Sequence, residues 1–221
     1  MTMDLCAVGF IPSTPLLVPE LGGPVPGEPD AVRAAAAQVV DEILASQPDR
    51  IVVIGACPPP NLNGANAIWD FTGFGLPGPE VLGTWPLPWQ LGLGAWLLDD
   101  RGWAGHSDYV GALSTAVDLG NGRTAYLAVA DGSVAFAEQP PDGVAADREA
   151  FDAAVARAVE AGDAALLAAT AAAPGDAIGA SGPPVWRYVA AAVAGREVTT
   201  SQLVYDEAPF GVRYVAGWWL L

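Results

Sequence analysis

The side chains able to do chemistry are few. His106 is the one histidine, Cys6 and Cys57 are the two cysteines, and all nine basic residues in the 221-residue chain are arginines. Without lysine there is no Schiff-base chemistry and no GK[ST] phosphate loop. One histidine cannot supply an HExxH pair, a two-histidine iron triad or a three-histidine zinc site. A Ser-His-Asp triad would have to use His106, but Ser107 and Asp108 are too close in sequence to face it in triad geometry, and no GxSxG elbow exists. The 25 acidic residues offer many carboxylate pairs, and nothing singles one out. Gly73-Phe74-Gly75-Leu76-Pro77-Gly78 fits GxGxxG literally, yet a dinucleotide fingerprint must open a helix, and Pro77 stands where that helix would begin.

The charge balance removes further classes. A net charge of −16 repels phosphate backbones and anionic membrane surfaces, so neither nucleic acid nor membrane is expected as a partner. The two cysteines are far apart and form no CxxC pair, which reads as free buried thiols in a reducing compartment. The first residues carry an acid and no basic stretch, and no long apolar run is free of charges and prolines; the expected location is cytoplasmic. With 52% apolar and 15% charged residues the chain reads as globular, with residues 1–221 forming one domain.

Periodicity supplies the elements. Leu5–Phe10 and Ile51–Ile54 read as buried strands, joined by a helix with Val32, Ala36, Val39, Val40, Ile43 and Leu44 on one face and Asp30 as its N-cap. Trp89–Leu98 reads as a short buried helix. Five of the eight tryptophans fall between Trp69 and Trp103, as a roof over the core or as the wall of a pocket or interface. Tyr109–Val117 and Arg123–Asp131 suit strands with a turn signal at Gly120-Asn121-Gly122. A second helix carries Phe151, Val155 and Val159 inward, Asp147 as cap and Glu149, Asp152 and Glu160 outward, and continues through Ala164–Ala173. Ser181-Gly182-Pro183-Pro184 opens a third helix, with Ser181 as N-cap and Gly195 as C-cap. Thr199–Tyr205 and Val212–Trp219 pair as a terminal hairpin. The expected fold is a three-layer α/β domain with a mixed, largely parallel central sheet flanked by helices, ending in a C-terminal β-hairpin.

Several stretches together resemble a known family. Ile11-Pro12-Ser13-Thr14-Pro15, Ile51–Gly55 with Ala56-Cys57-Pro58, Ala130-Asp131-Gly132-Ser133 and the closing Tyr205–Tyr214 segment look like the LigB-like class III extradiol ring-cleavage dioxygenases, grouped with the Memo proteins, in an actinobacterial branch. The resemblance implies an ancestral iron site at the strand ends, held by histidines and a carboxylate. Here Ser13, Pro58 and Val134 stand where the family pattern has histidines, and Ser181 stands where Memo-type proteins carry a cysteine. Proline and valine side chains bind no metal and serine is a poor ligand for Fe(II), so the iron site is expected to be lost, with no cofactor and no catalytic residue assigned.

The strand-end cleft could outlast the metal, because open α/β sheets bind ligands beyond the carboxyl ends of their strands. Ser13, Thr14, Cys57, Asn61, Asp131, Ser133 and Ser181 are its candidate residues. The expected function is a catalytically inactive extradiol-dioxygenase-like protein that binds a small molecule or another protein. The alternatives are a metal-independent enzyme in the same cleft, using Cys57, Asp131 or His106, or an atypical ring-cleavage dioxygenase drawing ligands from acids and His106. A homodimer is expected through the Trp-rich segment and the terminal Trp218-Trp219-Leu220-Leu221.

Overall fold

Alternation of apolar side chains in the central strands decides the layering. Along Ile51–Ile54, Ile51 and Val53 belong to one buried cluster and Val52 and Ile54 to the other; along Ala125–Ala130, Ala125, Leu127 and Val129 join the first and Tyr126, Ala128 and Ala130 the second. Strands buried on both faces need a helical layer on each side. The computed structural model describes residues 4–22, 28–58, 62–63, 66–80, 84–113, 122–135, 143–173, 175 and 178–221. These form one α/β domain with a mixed, mostly parallel sheet.

The strands are β1 (Asp4–Ile11), β2 (Arg50–Gly55), β3 (Leu62–Asn63), β4 (Ala67–Ile68), β5 (Trp85–Pro86), β6 (His106–Gly111), β7 (Arg123–Val129), β8 (Thr200–Glu207) and β9 (Tyr214–Leu220). The helices are α1 (Glu28–Ala45), α2 (Trp89–Asp100), α3 (Val144–Ala161), α4 (Ala164–Ala171) and α5 (Pro183–Val193). The main sheet runs β3-β6-β2-β7-β1-β9-β8, and β4 and β5 form a separate two-stranded piece. β6, β2, β7 and β1 are mutually parallel; β9 is antiparallel to β1 and to β8, which gives the terminal hairpin. α1 and α2 cover one face, and α3, α4 and α5 the other.

Close approach depends on glycine at several contacts, two of them between helix and sheet on the face that α1 and α2 cover. A Cβ at Gly9 would lie 2.3 Å from Ile43 Cδ1 of α1, and one at Gly94 of α2 would lie 2.5 Å from Val53 Cγ1 of β2. A fork of hydrogen bonds from Arg101 Nε and Nη2 to the Asp41 carboxylate, 2.9 and 2.7 Å, ties the end of α2 to α1.

Several boundaries differ from the sequence reading, mostly through caps. α1 already includes Asp30, which pairs with Arg33 one turn on. Gly143 precedes α3, leaving Asp147 inside its first turn, and Gly182 rather than Ser181 occupies the N-cap position of α5. Ala194 caps the other end of α5, with Gly195 just beyond it. Ala164–Ala173 does not prolong α3. Gly162 at φ +66° ends that helix, and Asp163 starts α4 by accepting the Leu166 N–H at 2.8 Å. The turn signal near Gly122 makes no hairpin, since β2 lies between β6 and β7; residues 114–121 lie outside the described set.

The aromatic segment packs over α2. Trp69 Nε1 donates to Asp99 Oδ2 at 2.9 Å, Phe71 stacks on Trp69 and lies against Gly92, and Trp103 Nε1 donates to Ser107 Oγ at 3.1 Å. Trp69, Trp89, Trp96 and Trp103 thus roof the core, while Trp85 is exposed. Trp218 and Trp219 are buried and have no surface to offer a partner. No described helix is long and apolar enough to cross a membrane.

Candidate functional site

The sheet has its topological switch at β7. β1 and β2, on either side of it, lead into α1 and α2 on one face, whereas β7 leads into α3 on the other. Loops leaving neighbouring strands toward opposite faces open a crevice at their carboxyl ends. Ser13 and Thr14 follow β1, Asp131 follows β7, and the first residue of antiparallel β9, Tyr214, reaches the same end of the sheet.

Four of the candidates meet there. The Ser13 backbone N–H donates to Asp131 Oδ1 at 2.7 Å, fastening the two strand exits together. The Asp131 N–H donates to Ser181 Oγ at 3.4 Å, and the Gly182 N–H to the Asp131 carbonyl at 2.9 Å, which brings up the start of α5. Tyr214 Oη donates to Thr14 Oγ1 at 3.2 Å, and Thr14 Oγ1 also accepts from Leu16 N at 3.4 Å. Ser13 and Thr14 are buried, Asp131 is partly exposed and Ser181 is exposed. Burial pushes the Asp131 carboxyl up to about 7, against the opposing pull of the Ser13 N–H. Among the described residues its second oxygen has no hydrogen-bond partner. Burial also raises the Tyr214 phenol, countered by Thr14 and reinforced by the nearby Asp131.

A cleft of about 400 Å³ adjoins this cluster at Ser181. Ala56 beyond β2, Leu113 beyond β6, and Pro183 and Pro184 supply its apolar wall, and Arg187 of α5 reaches into it. Arg187 donates from Nη1 to the Ala171 carbonyl at 2.6 Å; its other two nitrogens have no partner among the described residues. The paired prolines leave α5 without N–H groups in its first two positions, so an anion here would be met by Arg187 and Ser181 rather than by the helix end.

The remaining candidates go elsewhere. Ser133 is buried against α3, where its N–H and hydroxyl donate to the two Asp152 oxygens at 2.9 and 2.6 Å, and Arg148 Nε approaches its Oγ at 3.4 Å. Asp152, expected on a solvated face, is therefore a buried anchor for the loop after β7. Cys57 is buried in the α2-side core, and its thiol is pushed up to about 11 by that burial. That burial favours the thiol over the nucleophilic thiolate at neutral pH. Asn61 lies outside the described residues.

His106 starts β6, at the opposite end of the sheet from the crevice, with Nε2 3.1 Å from Asp108 Oδ1. It borders a separate pocket of about 250 Å³ with Asp99, Trp103 and Ser107. No chemistry in the crevice can call on it.

The iron that the resemblance implies can be tested against the residues present. Ser13 turns its N–H to Asp131, Pro58 is exposed, and Val134 pairs through its backbone with Val212. Among the described residues no three His, Cys, Asp or Glu side chains gather to hold a metal ion. The donor set does not fit an iron centre. The sequence matches no family model, and no curated protein matches it.

Tyr214 and Arg187 are the site residues that the motifs did not point to. Tyr214 closes the Tyr205–Tyr214 segment that carries part of the resemblance. Arg187 is one of only nine cations in a strongly acidic chain, and that rarity was the available signal.

Proposed function

We propose that this protein is a non-catalytic descendant of the extradiol-dioxygenase scaffold that binds a small aromatic carboxylate at its strand ends. The observation that carries the reading is the meeting of Ser13, Thr14, Asp131, Ser181 and Tyr214 at the switch point, beside a cleft of mixed polarity bordered by Arg187, two of whose guanidinium nitrogens have no partner among the described residues. A planar ring suits the Ala56, Leu113 and Pro183 wall. A carboxylate suits the free guanidinium nitrogens of Arg187, and Ser181 Oγ offers a hydrogen bond at the rim. The cleft volume falls within the range of about 300–1,000 Å³ that is usual for small-molecule sites.

The test is calorimetry with benzoate, 4-hydroxybenzoate and 3,4-dihydroxybenzoate. Saturable binding is expected, and Arg187→Ala should weaken it roughly tenfold or more, as loss of a charge-assisted hydrogen bond does. Absence of binding by all three acids, or binding indifferent to Arg187→Ala, would overturn the assignment. Oxygen uptake with 3,4-dihydroxybenzoate and added Fe(II) should stay at the level of the protein-free control; uptake above it would show that the scaffold still catalyses ring cleavage.

A further inference from the structure

α4 and α5 pack antiparallel and leave a furrow between them. The bond from Arg187 to the Ala171 carbonyl joins the start of α5 to the end of α4, and the start of α4 lies against the end of α5. Ala165 and Ala168 of α4, with Ala191 and Ala194 at the C-terminal end of α5, follow one another about a turn apart and line this furrow, whose volume is about 850 Å³. All four are exposed. Surface helices ordinarily turn charged residues outward, yet α4, Ala-Ala-Leu-Leu-Ala-Ala-Thr-Ala, has none. Alanine on both walls keeps open a space that longer side chains would close. Gly162 and Val198 line one end, and Arg187 stands at the other, where it also borders the strand-end cleft.

Two of the nine cations of this acidic chain thus border one apolar furrow. Arg196 is engaged: its Nε donates to the Ala192 carbonyl at 3.2 Å, and its charge lies near the Tyr126 phenol. Asp163, the cap of α4, is at the same end and disfavours a second anion there. Arg187 has two nitrogens without a partner among the described residues, so an anionic head belongs at its end. We propose that the furrow binds an unbranched medium-chain carboxylic acid, with its carboxylate on Arg187 and its hydrocarbon chain along the four alanines toward Val198. From Arg187 to Ala194 the helix rises about 10 Å, which suits an octanoate or decanoate chain. The assignment rests on the same reading of Arg187 as a carboxylate site, so the aromatic and the alkyl acids compete. A net charge of −16 holds other copies and anionic lipid surfaces away, which favours a single small ligand over either.

The experiment is calorimetry on the full chain with butanoate, octanoate and decanoate, below the concentrations at which these acids aggregate. Octanoate should bind at least roughly tenfold more tightly than butanoate, and decanoate should displace 3,4-dihydroxybenzoate. Ala168→Gln sets a longer polar chain across the furrow and should weaken decanoate roughly tenfold while leaving benzoate unaffected. The position is exposed and glutamine is a good helix former, so circular dichroism should show the fold unchanged. Affinity that ignores chain length, or decanoate binding that ignores Ala168→Gln or Arg187→Ala, would overturn the proposal. Benzoate binding without gain along the alkyl series would remove the furrow site alone; alkyl acids binding where benzoates do not would uphold it and remove the aromatic reading alone. Light scattering should show the same mass for the parent and Ala168→Gln. A dimer that Ala168→Gln dissociates would give the furrow to a second copy and overturn the proposal.

Discussion

Asp131 carries the clearest consequence of burial at the level of one side chain. Its carboxyl titrates at about 7 in the folded protein against an ordinary 3.8. Between those values the native state keeps a proton that the unfolded chain has released, so stability falls as pH rises through this window and levels off above it. Asp131→Asn retains an acceptor for the Ser13 N–H and removes the titration. The variant should be more stable than the parent by about 1–2 kcal/mol at mildly alkaline pH, with the gap closing toward about pH 4. Urea melts across that range would check it, and a gap that ignores pH would contradict it. Ser133 and Cys57 belong to strand-end motifs like that of Asp131 and do different work. The Ser133 hydroxyl is committed to Asp152, and Cys57 is core packing. Spacing in sequence places a residue at a strand end but does not say to which side of the sheet its side chain turns.

Elements were legible wherever burial imposed a period. The unbroken run Ile51–Ile54 told of a strand covered on both faces, and the stripe from Val32 to Leu44 told of α1, because each pattern has one physical solution. Caps were less legible, since Asp30, Asp147 and Ser181 are good capping residues that the helices overrun or start beyond. The neighbours of β7 were not legible at all: partners in a parallel sheet are chosen by packing between distant segments, which leaves no local mark. The contact of α2 with β2 makes a test at this scale. Gly94→Ala should gain about 1 kcal/mol in helix propensity. It also forces a Cβ to within 2.5 Å of Val53 Cγ1, and overpacking of that kind costs about 1–3 kcal/mol. The net expectation is a lower melting temperature, read by thermal denaturation; an unchanged or higher one would mean that α2 can move away from the sheet without loss.

For the molecule as a whole, the order of strands differs sharply from the order of synthesis. β1 pairs with β7 and β9, and Tyr214 meets Thr14 across 200 positions of chain. A fragment of residues 1–113 would hold β1, α1, β2, α2 and β6 but lack both neighbours of β1. It should show no cooperative unfolding by circular dichroism; a sharp transition would mean that β2 and β6 suffice as a nucleus. On the ribosome, then, the first strand emerges early, must wait past the middle of the chain for β7, and for nearly the whole chain before β9 satisfies its other edge. During that interval an apolar segment, Leu5–Ile11, stays open to wrong contacts, so this protein's yield in the cell should depend on chaperone holding more than its final stability would suggest.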